Sequence, residues 1–277
     1  MSCEYCLIGH PVGHSISTEI HRRLFEFSGR DAGYSTLDIE PESLESRIPE
    51  LRQLSGFNIT IPFKQKLFPY FSFVYGAAGR YGAVNTVRCE NGKMYGYNTD
   101  ADGFLQTLEA AKIPLAGNVL LCGAGGVAHM MACEALDRGC RLTVATRTIG
   151  KAQALLSELR RMYPDAEIEV SSLRYLSGSF DLILNGTPSG MYPDKNSCPV
   201  PAQVARSAKA VFDAVYNPLE TKLLRTASRA GARTLNGLPM LVRQAAAAHG
   251  IWLGDTFTEE QISALCAEME QLLQENF

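Results

Sequence analysis

The sequence predicts an α/β protein in two parts: an N-terminal, mostly parallel α/β domain, and a nucleotide-type domain in the middle of the chain, with C-terminal helices returning to the first part. Three observations predict it. Short apolar strands alternate with helical segments over the N-terminal third. The apolar strand Asn118–Cys122 runs straight into Gly123-Ala124-Gly125-Gly126 and then into a helical pattern. The C-terminal segment reads as helix throughout.

In order, Tyr5–Gly9, Tyr34–Ile39, Phe57–Ile61 and Ala83–Arg88 read as strands, and Ile20, Leu24 and Phe27 recur at helical spacing between the first two. Strands separated by helix-length connections pair in parallel with both faces covered. A helix is expected from Ala101 to Lys112, ended by Pro114. Past the glycine-rich turn, helices are expected at Val127–Asp137, Lys151–Met162 and Glu220–Ala230. Strands are expected at Leu142–Thr146, Ile168–Val170, Leu182–Asn185 and Val211–Val215. Met240–His249 is alanine-rich and favours helix. Thr258 with Gln261 is a capping-box signature, followed by an apolar stripe of Ile262, Leu265, Met269 and Leu272. The division expected is residues 1–100 with 239–277 as one domain and 101–238 as the other.

The chain has 277 residues and a formal net charge of -3, so neither nucleic acid nor an anionic membrane is indicated as its partner. It shows no signal-peptide pattern and no apolar run of membrane-spanning length, which predicts a cytoplasmic protein. Eight cysteines are scattered through a chain too long to need disulfide staples. Cys3 and Cys6 form a CxxC, but no second pair answers it, and residues three apart on a strand point to opposite faces. No metal site is expected.

Gly123 to Ala128 fits G-x-G-x-x-G/A between a strand and a helix. The first glycine allows the tight turn, the second lets a pyrophosphate approach the backbone, and the small last residue lets helix pack on strand. The helix N-terminus then offers free N–H groups to the phosphates. An NAD site carries an acid about 20 residues later, on the ribose 2′-hydroxyl. Here that stretch reads Thr146-Arg147-Thr148-Ile149-Gly150-Lys151, with two cations and no acid. Arg147 and Lys151 suit a 2′-phosphate, so NADP is favoured over NAD. The plainer alternative is a pair of solvated surface cations.

A polar cluster gathers where strands of the first domain end. Ser15 and Ser17 precede the first helix and either hold a carboxylate or cap that helix. Lys64 follows a strand end, Asn85 lies in Ala83-Val84-Asn85-Thr86, and Asn98 and Asp100 lie in Gly96-Tyr97-Asn98-Thr99-Asp100. The amides suit ring hydroxyls, and Lys64 with Asp100 is the one nearby pair able to move a proton and hold a hydroxyl. Strand C-termini of an open α/β sheet are the usual ligand crevice.

GHPVGHSIS, NITIPFK, AVNT, GYNTD, GAGG, TRTIGKA, NGTPSGM, DAVYNPLETKLL and NGLPMLVRQAA occur in the order seen in the shikimate dehydrogenase family, and the resemblance spans nearly the whole chain. It implies a substrate domain and a Rossmann-like NADP-binding domain with a cleft between them. It implies reversible NADPH-dependent reduction of 3-dehydroshikimate to shikimate, a small-molecule substrate, on the route to chorismate and the aromatic amino acids. A quinate or aminoshikimate dehydrogenase, or a catalytically silent binding module, remain the alternatives. A monomer and a homodimer are equally compatible with the chain.

By the same resemblance, Lys64 and Asp100 are the catalytic pair, and Ser15 and Ser17 hold the substrate carboxylate. Thr60, Asn85 and Gln244 are further substrate contacts. Gly123, Ala124, Gly125 and Gly126 form the pyrophosphate loop, and Thr146, Arg147 and Lys151 the adenosine-phosphate clamp. Tyr216, Gly237 and Met240 line the region near nicotinamide and substrate. Four positions depart from the family pattern: Thr18 stands in place of proline, Arg22 and Thr146 in place of asparagine, and Lys151 in place of a common arginine. Lysine is a point charge without the planar guanidinium fork.

Overall fold

The computed structural model describes residues 4–13 and 15–276. Cys3, one half of the CxxC, lies outside the described residues. The chain forms two compact units, Met1–Gly103 with Leu241–Met269, and Phe104–Met240 with Glu270–Phe277. Each is built on a six-stranded sheet.

In the first unit the chain runs β1 (Glu4–Gly9), α1 (Ser17–Phe27), β2 (Gly33–Asp38), α2 (Leu44–Leu51), β3 (Gly56–Ile59), β4 (Phe73–Val74), α3 (Ala78–Tyr81), β5 (Thr86–Glu90) and β6 (Lys93–Tyr97), then enters α4 (Asp100–Ala110). The sheet order is β2-β1-β3-β5-β6-β4. β1 pairs in parallel with β2 and β3, and β4 with β6, while β5 runs antiparallel to both β3 and β6. The sequence pattern predicts one strand over Ala83–Arg88. The structure starts that strand at Thr86 and adds a hairpin partner, β6. Asn91 and Gly92 both take positive φ, 52° and 70°. An Asn-Gly pair with left-handed φ at both positions is the tight turn whose twist matches two paired strands.

That hairpin sets the site. Because β5 is antiparallel to β3, its first residue lies at the C-terminal end of β3, and β6 returns to the same end. The loops after β1, β3 and β6 and the start of β5 therefore gather at one edge. Below them lies a core of Ile8, Phe57, Ile59, Phe63, Val84 and Val87, all buried. Ile20, His21, Leu24 and Phe25 are the inward face of α1. Each fully buried Leu, Ile or Phe contributes roughly 1.5–3 kcal/mol.

The second unit continues β7 (Asn118–Cys122), α5 (Gly126–Asp137), β8 (Arg141–Thr146), α6 (Ile149–Met162), β9 (Ile168–Ser172), β10 (Leu182–Asn185), α7 (Ala202–Ser207), β11 (Ala210–Asp213), α8 (Lys222–Ser228) and β12 (Arg233–Leu235). Its sheet is parallel throughout, in the order β12-β11-β10-β7-β8-β9. β10 is buried at every residue, as expected of a strand covered on both faces. The short β12 and α7 carry too little periodicity to be read from sequence.

Two helices close the chain, α9 (Leu238–Leu253) and α10 (Glu259–Asn276). The Thr258–Gln261 capping box is formed: the Thr258 N–H donates to Gln261 Oε1 at 2.9 Å, and the Gln261 N–H donates to Thr258 Oγ1 at 3.3 Å. Ile262, Leu265 and Met269 are buried as their spacing predicts, but the next buried position is Leu273, not Leu272. Among the described residues, no helix is long and apolar enough to cross a membrane, and no His/Cys/Asp/Glu cluster could hold a metal ion.

Candidate active site

In the first unit Lys64 and Asp100 meet. The Lys64 ammonium donates to Asp100 Oδ2 at 2.5 Å, and the side chains are 20% and 11% exposed. Asp100 takes one of the three donors of the ammonium, and the other two have no protein partner among the described residues. The other carboxylate oxygen, Oδ1, accepts from Asn85 Nδ2 at 2.8 Å. Asn85 is held in turn: its Oδ1 accepts from the Thr99 N–H at 2.7 Å and from Thr86 Oγ1 at 3.1 Å. Asp100 opens α4, where a carboxylate gains from the unpaired N–H groups of the first turn.

Gln244, on α9, joins this cluster. Its Oε1 faces Asn85 Nδ2 at 3.3 Å and accepts from Thr99 Oγ1 at 3.4 Å. Thr60 ends the run after β3, and its hydroxyl makes no hydrogen bond among the described residues. Asn98 does something other than meet a ring. Its side-chain oxygen accepts from the Asp100 and Ala101 N–H groups at 3.0 and 3.4 Å, and its Nδ2 donates to Ala83 O at 2.9 Å. Asn98 therefore caps α4, a position its short amide side chain suits.

Ser15 and Ser17 stand side by side at the start of α1. The Ser17 N–H donates to Ser15 Oγ at 3.2 Å, and Ser15 Oγ donates to Ser17 Oγ at 2.9 Å. Neither makes the ordinary side-chain cap, since the N-cap residue of α1 is Ile16. The loop that presents them is anchored from β2: Asp38 accepts from His10 Nδ1 at 2.6 Å and from the Val12 N–H at 3.1 Å. The Asp38 hydrogen bond raises the His10 pKa above its ordinary value, and His10 lowers that of Asp38.

The second unit carries the residues assigned to the cofactor. Gly123 has φ +111°, and a Cβ there would sit 3.0 Å from Thr187 Cγ2, so the turn itself demands glycine. Gly125 and Gly126 differ. A Cβ at either would meet no protein atom within 4 Å, so protein packing does not require glycine there. What their bare backbone leaves is room for a ligand over the N-terminus of α5, whose first turn carries no acid. Ala128 is fully buried, and a Cβ on Gly186 would lie 3.1 Å from its methyl group, the close packing expected of the last motif position.

At the end of β8, Arg147 and Lys151 are exposed, make no ion pair among the described residues, and flank a helix start that has no acid in its first turn. These residues fit a pyrophosphate and a 2′-phosphate. Thr146 is buried and spends its hydroxyl locally, donating to Thr148 O at 2.8 Å. Gly237 is required by the protein itself, since a Cβ would lie 2.1 Å from Ala214 O. Tyr216 is half-buried, and burial raises its hydroxyl pKa; Met240 is 7% exposed.

Two buried groupings escape sequence reading. In the second unit Asp213 accepts from Asn185 Nδ2 at 2.8 Å, the Val215 N–H at 3.1 Å and Thr221 Oγ1 at 2.7 Å, tying together the ends of β10, β11 and α8. Burial pushes its carboxyl up to about 6 in spite of these three donors. In the first unit, Tyr34 donates to Asn58 Oδ1 at 2.8 Å, and Asn58 Nδ2 donates to Thr86 Oγ1 at 3.0 Å. Tertiary contact alone defines both.

Residues 7–87 match the family model described as the shikimate dehydrogenase substrate binding domain. The shikimate dehydrogenase (NADP(+)) of Caldanaerobacter subterraneus subsp. tengcongensis is 38% identical over 261 residues, covering 92% of each chain. That of Methanocaldococcus jannaschii is 40% identical over 256 residues, covering 90% of each. Among solved structures, the shikimate 5-dehydrogenase from Thermus thermophilus in complex with NADP(H) and shikimate superposes with a TM-score of 0.87 at 34% identity, covering 97% of this chain and 99% of that one.

Proposed function

The chain belongs to the shikimate dehydrogenase family, and from that premise we propose that it catalyses the reversible, NADPH-dependent reduction of 3-dehydroshikimate to shikimate. The observation that carries the reading is the 2.5 Å contact of the Lys64 ammonium with Asp100, at the edge of the sheet where Ser15, Ser17, Thr60, Asn85 and Gln244 also lie. Membership supplies the reaction class; these side chains supply what the reaction needs from the protein.

Bound NADPH supplies the hydride to the ring carbonyl carbon. As negative charge builds on the carbonyl oxygen, the Lys64 ammonium stabilises it and gives it a proton. The proton leaves Nζ, the new O–H bond forms, and solvent restores the ammonium. In the oxidising direction the neutral amine takes the proton back. Asp100 aims Nζ, and Asn85 aims Asp100. Ser15 and Ser17 offer hydroxyls to the substrate carboxylate, with Thr60, Gln244 and Tyr216 on the ring. Gly123, Ala124, Gly125 and Gly126 hold the pyrophosphate, and Arg147 and Lys151 hold the 2′-phosphate. Thr146 shapes the turn that presents those two cations, and Gly237 and Met240 complete the nicotinamide side.

We assign the enzyme to the cytoplasm, as a monomer or homodimer, and divide it into a substrate domain of 1–100 with 239–277 and an NADP-binding domain of 101–238. The test is formation of reduced cofactor (NADPH or NADH) by the purified protein with shikimate, quinate or aminoshikimate, each with NADP+ and NAD+. The highest kcat/KM for shikimate with NADP+ supports the reading. Preference for quinate or aminoshikimate, or no turnover with any, contradicts it.

A further inference from the structure

Beneath the substrate cluster lies a buried histidine pair that the reaction does not use. His21, on α1, and His249, on α9, are both fully buried, and His21 Nδ1 lies 3.1 Å from His249 Nε2. One of these nitrogens must donate and the other accept. His249 Nδ1 faces Asp255 Oδ2 at 3.6 Å, and Asp255 is itself held by Arg30, whose Nε and Nη2 donate to Oδ1 at 2.9 and 2.6 Å. A carboxylate beside Nδ1 favours the proton there, which makes His249 Nε2 the acceptor and His21 Nδ1–H the donor. Burial lowers the pKa of both imidazoles, so the pair is neutral and its hydrogen bond is not opposed by like charge.

Each histidine shares its helix with a residue of the substrate cluster. Ser17 and His21 are four apart on α1, hence on one face, and Gln244 lies on α9 ahead of His249. His21 also stacks on Tyr34, with ring centroids 3.9 Å apart and planes at 8°. From the Tyr34 hydroxyl a chain of hydrogen bonds runs without a break. It passes to Asn58 at 2.8 Å, Thr86 at 3.0 Å, Asn85 at 3.1 Å, Asp100 at 2.8 Å and Lys64 at 2.5 Å.

We propose that the His21–His249 pair positions the substrate site. It locks α1, which opens at Ser17 with Ser15 hydrogen-bonded just ahead of it, against α9, which carries Gln244, and it holds the Tyr34 ring from which the hydrogen-bonded chain reaches Lys64. The pair touches neither substrate nor cofactor and acts through these neighbours. This role rests on the functional reading above, because it concerns the same site.

The test is steady-state kinetics on the full-length His249→Phe, His249→Gln and Tyr34→Phe variants, with circular dichroism for folding and fluorescence titration for NADP+ affinity. Phenylalanine keeps the ring and removes the acceptor; glutamine Oε1 replaces it. We expect His249→Phe to lose roughly tenfold or more in kcat/KM for shikimate, since small displacements of a positioned group are costly. NADP+ affinity stays within about twofold, and His249→Gln stays within about threefold of wild type. Tyr34→Phe deletes only the hydroxyl that heads the chain, and shows the same selective loss even where His249→Phe does not fold. A folded His249→Phe or Tyr34→Phe with unchanged kcat/KM, or equal losses in shikimate turnover and NADP+ affinity, overturns the proposal. A wild type that does not oxidise shikimate overturns the functional reading instead.

Discussion

Lys64 Nζ and Asp100 Oδ2 stand 2.5 Å apart, and the second oxygen of the same carboxylate is tied to Asn85. Asp100 is thus held from two sides, and it hands that order to the ammonium. Asp100→Asn keeps the shape of the side chain and removes its charge. It is expected to lower kcat by one to two orders of magnitude, roughly, with NADP+ affinity unchanged. Stopped-flow kinetics beside fluorescence titration checks it.

The two exposed cations after β8 are proposed to set cofactor choice. Arg147→Ala and Lys151→Ala are each expected to weaken NADP+ binding by roughly tenfold and to leave NAD+ binding nearly unchanged, because only NADP+ carries the 2′-phosphate. Arg147→Ala has the larger effect, since guanidinium binds phosphate bidentately. Parallel titrations with the two cofactors decide it.

Two glycines proposed for the cofactor side, Gly125 and Gly237, answer to different neighbours. At Gly125 a Cβ meets no protein atom within 4 Å, whereas at Gly237 it would lie 2.1 Å from Ala214 O. Gly125→Val is therefore expected to fold with near-wild-type stability and to lose cofactor binding. Gly237→Ala is expected to cost about 1–3 kcal/mol or more of stability, through forced backbone movement. Thermal melts and NADP+ titration on both variants separate the two effects.

His249 links stability to pH. Its folded pKa is lowered from 6.5 to about 4, because burial lowers it more than Asp255 raises it. Between those values the unfolded chain binds the proton and the folded chain does not. The stability that goes with neutral His249 is therefore fully present above pH 6.5 and is lost as pH falls through about 4. His249→Gln is expected to flatten this slope by an amount on the order of a few kcal/mol over the window, relative to wild type. Urea titrations at several pH values measure it; an unchanged slope contradicts it.

All strands of the second sheet except β12 are legible, because each is a short run rich in apolar residues next to a turn signal. Asn118–Cys122 and Leu182–Asn185 fall at the positions their sequence implies. The β5–β6 hairpin was equally written in Asn91-Gly92, but the expectation of alternating strands and helices passed over it. Lys64, Asp100 and Asn85 could be singled out because each sits beside a strand end. The histidine pair could not: His21 and His249 are 228 residues apart, and each alone is an ordinary core histidine. Asn98 misled for a related reason, since one amide serves a ligand and a helix cap equally well, and local backbone geometry decides between them.

The most direct measurement compares wild type with Lys64→Ala in NADP+-dependent oxidation of shikimate, alongside NADP+ affinity for both proteins. We predict rapid turnover by wild type, a loss of roughly two to four orders of magnitude in kcat for Lys64→Ala, and equal affinities for NADP+. A wild type that does not turn over shikimate, or a variant that loses cofactor affinity as steeply as it loses turnover, contradicts it.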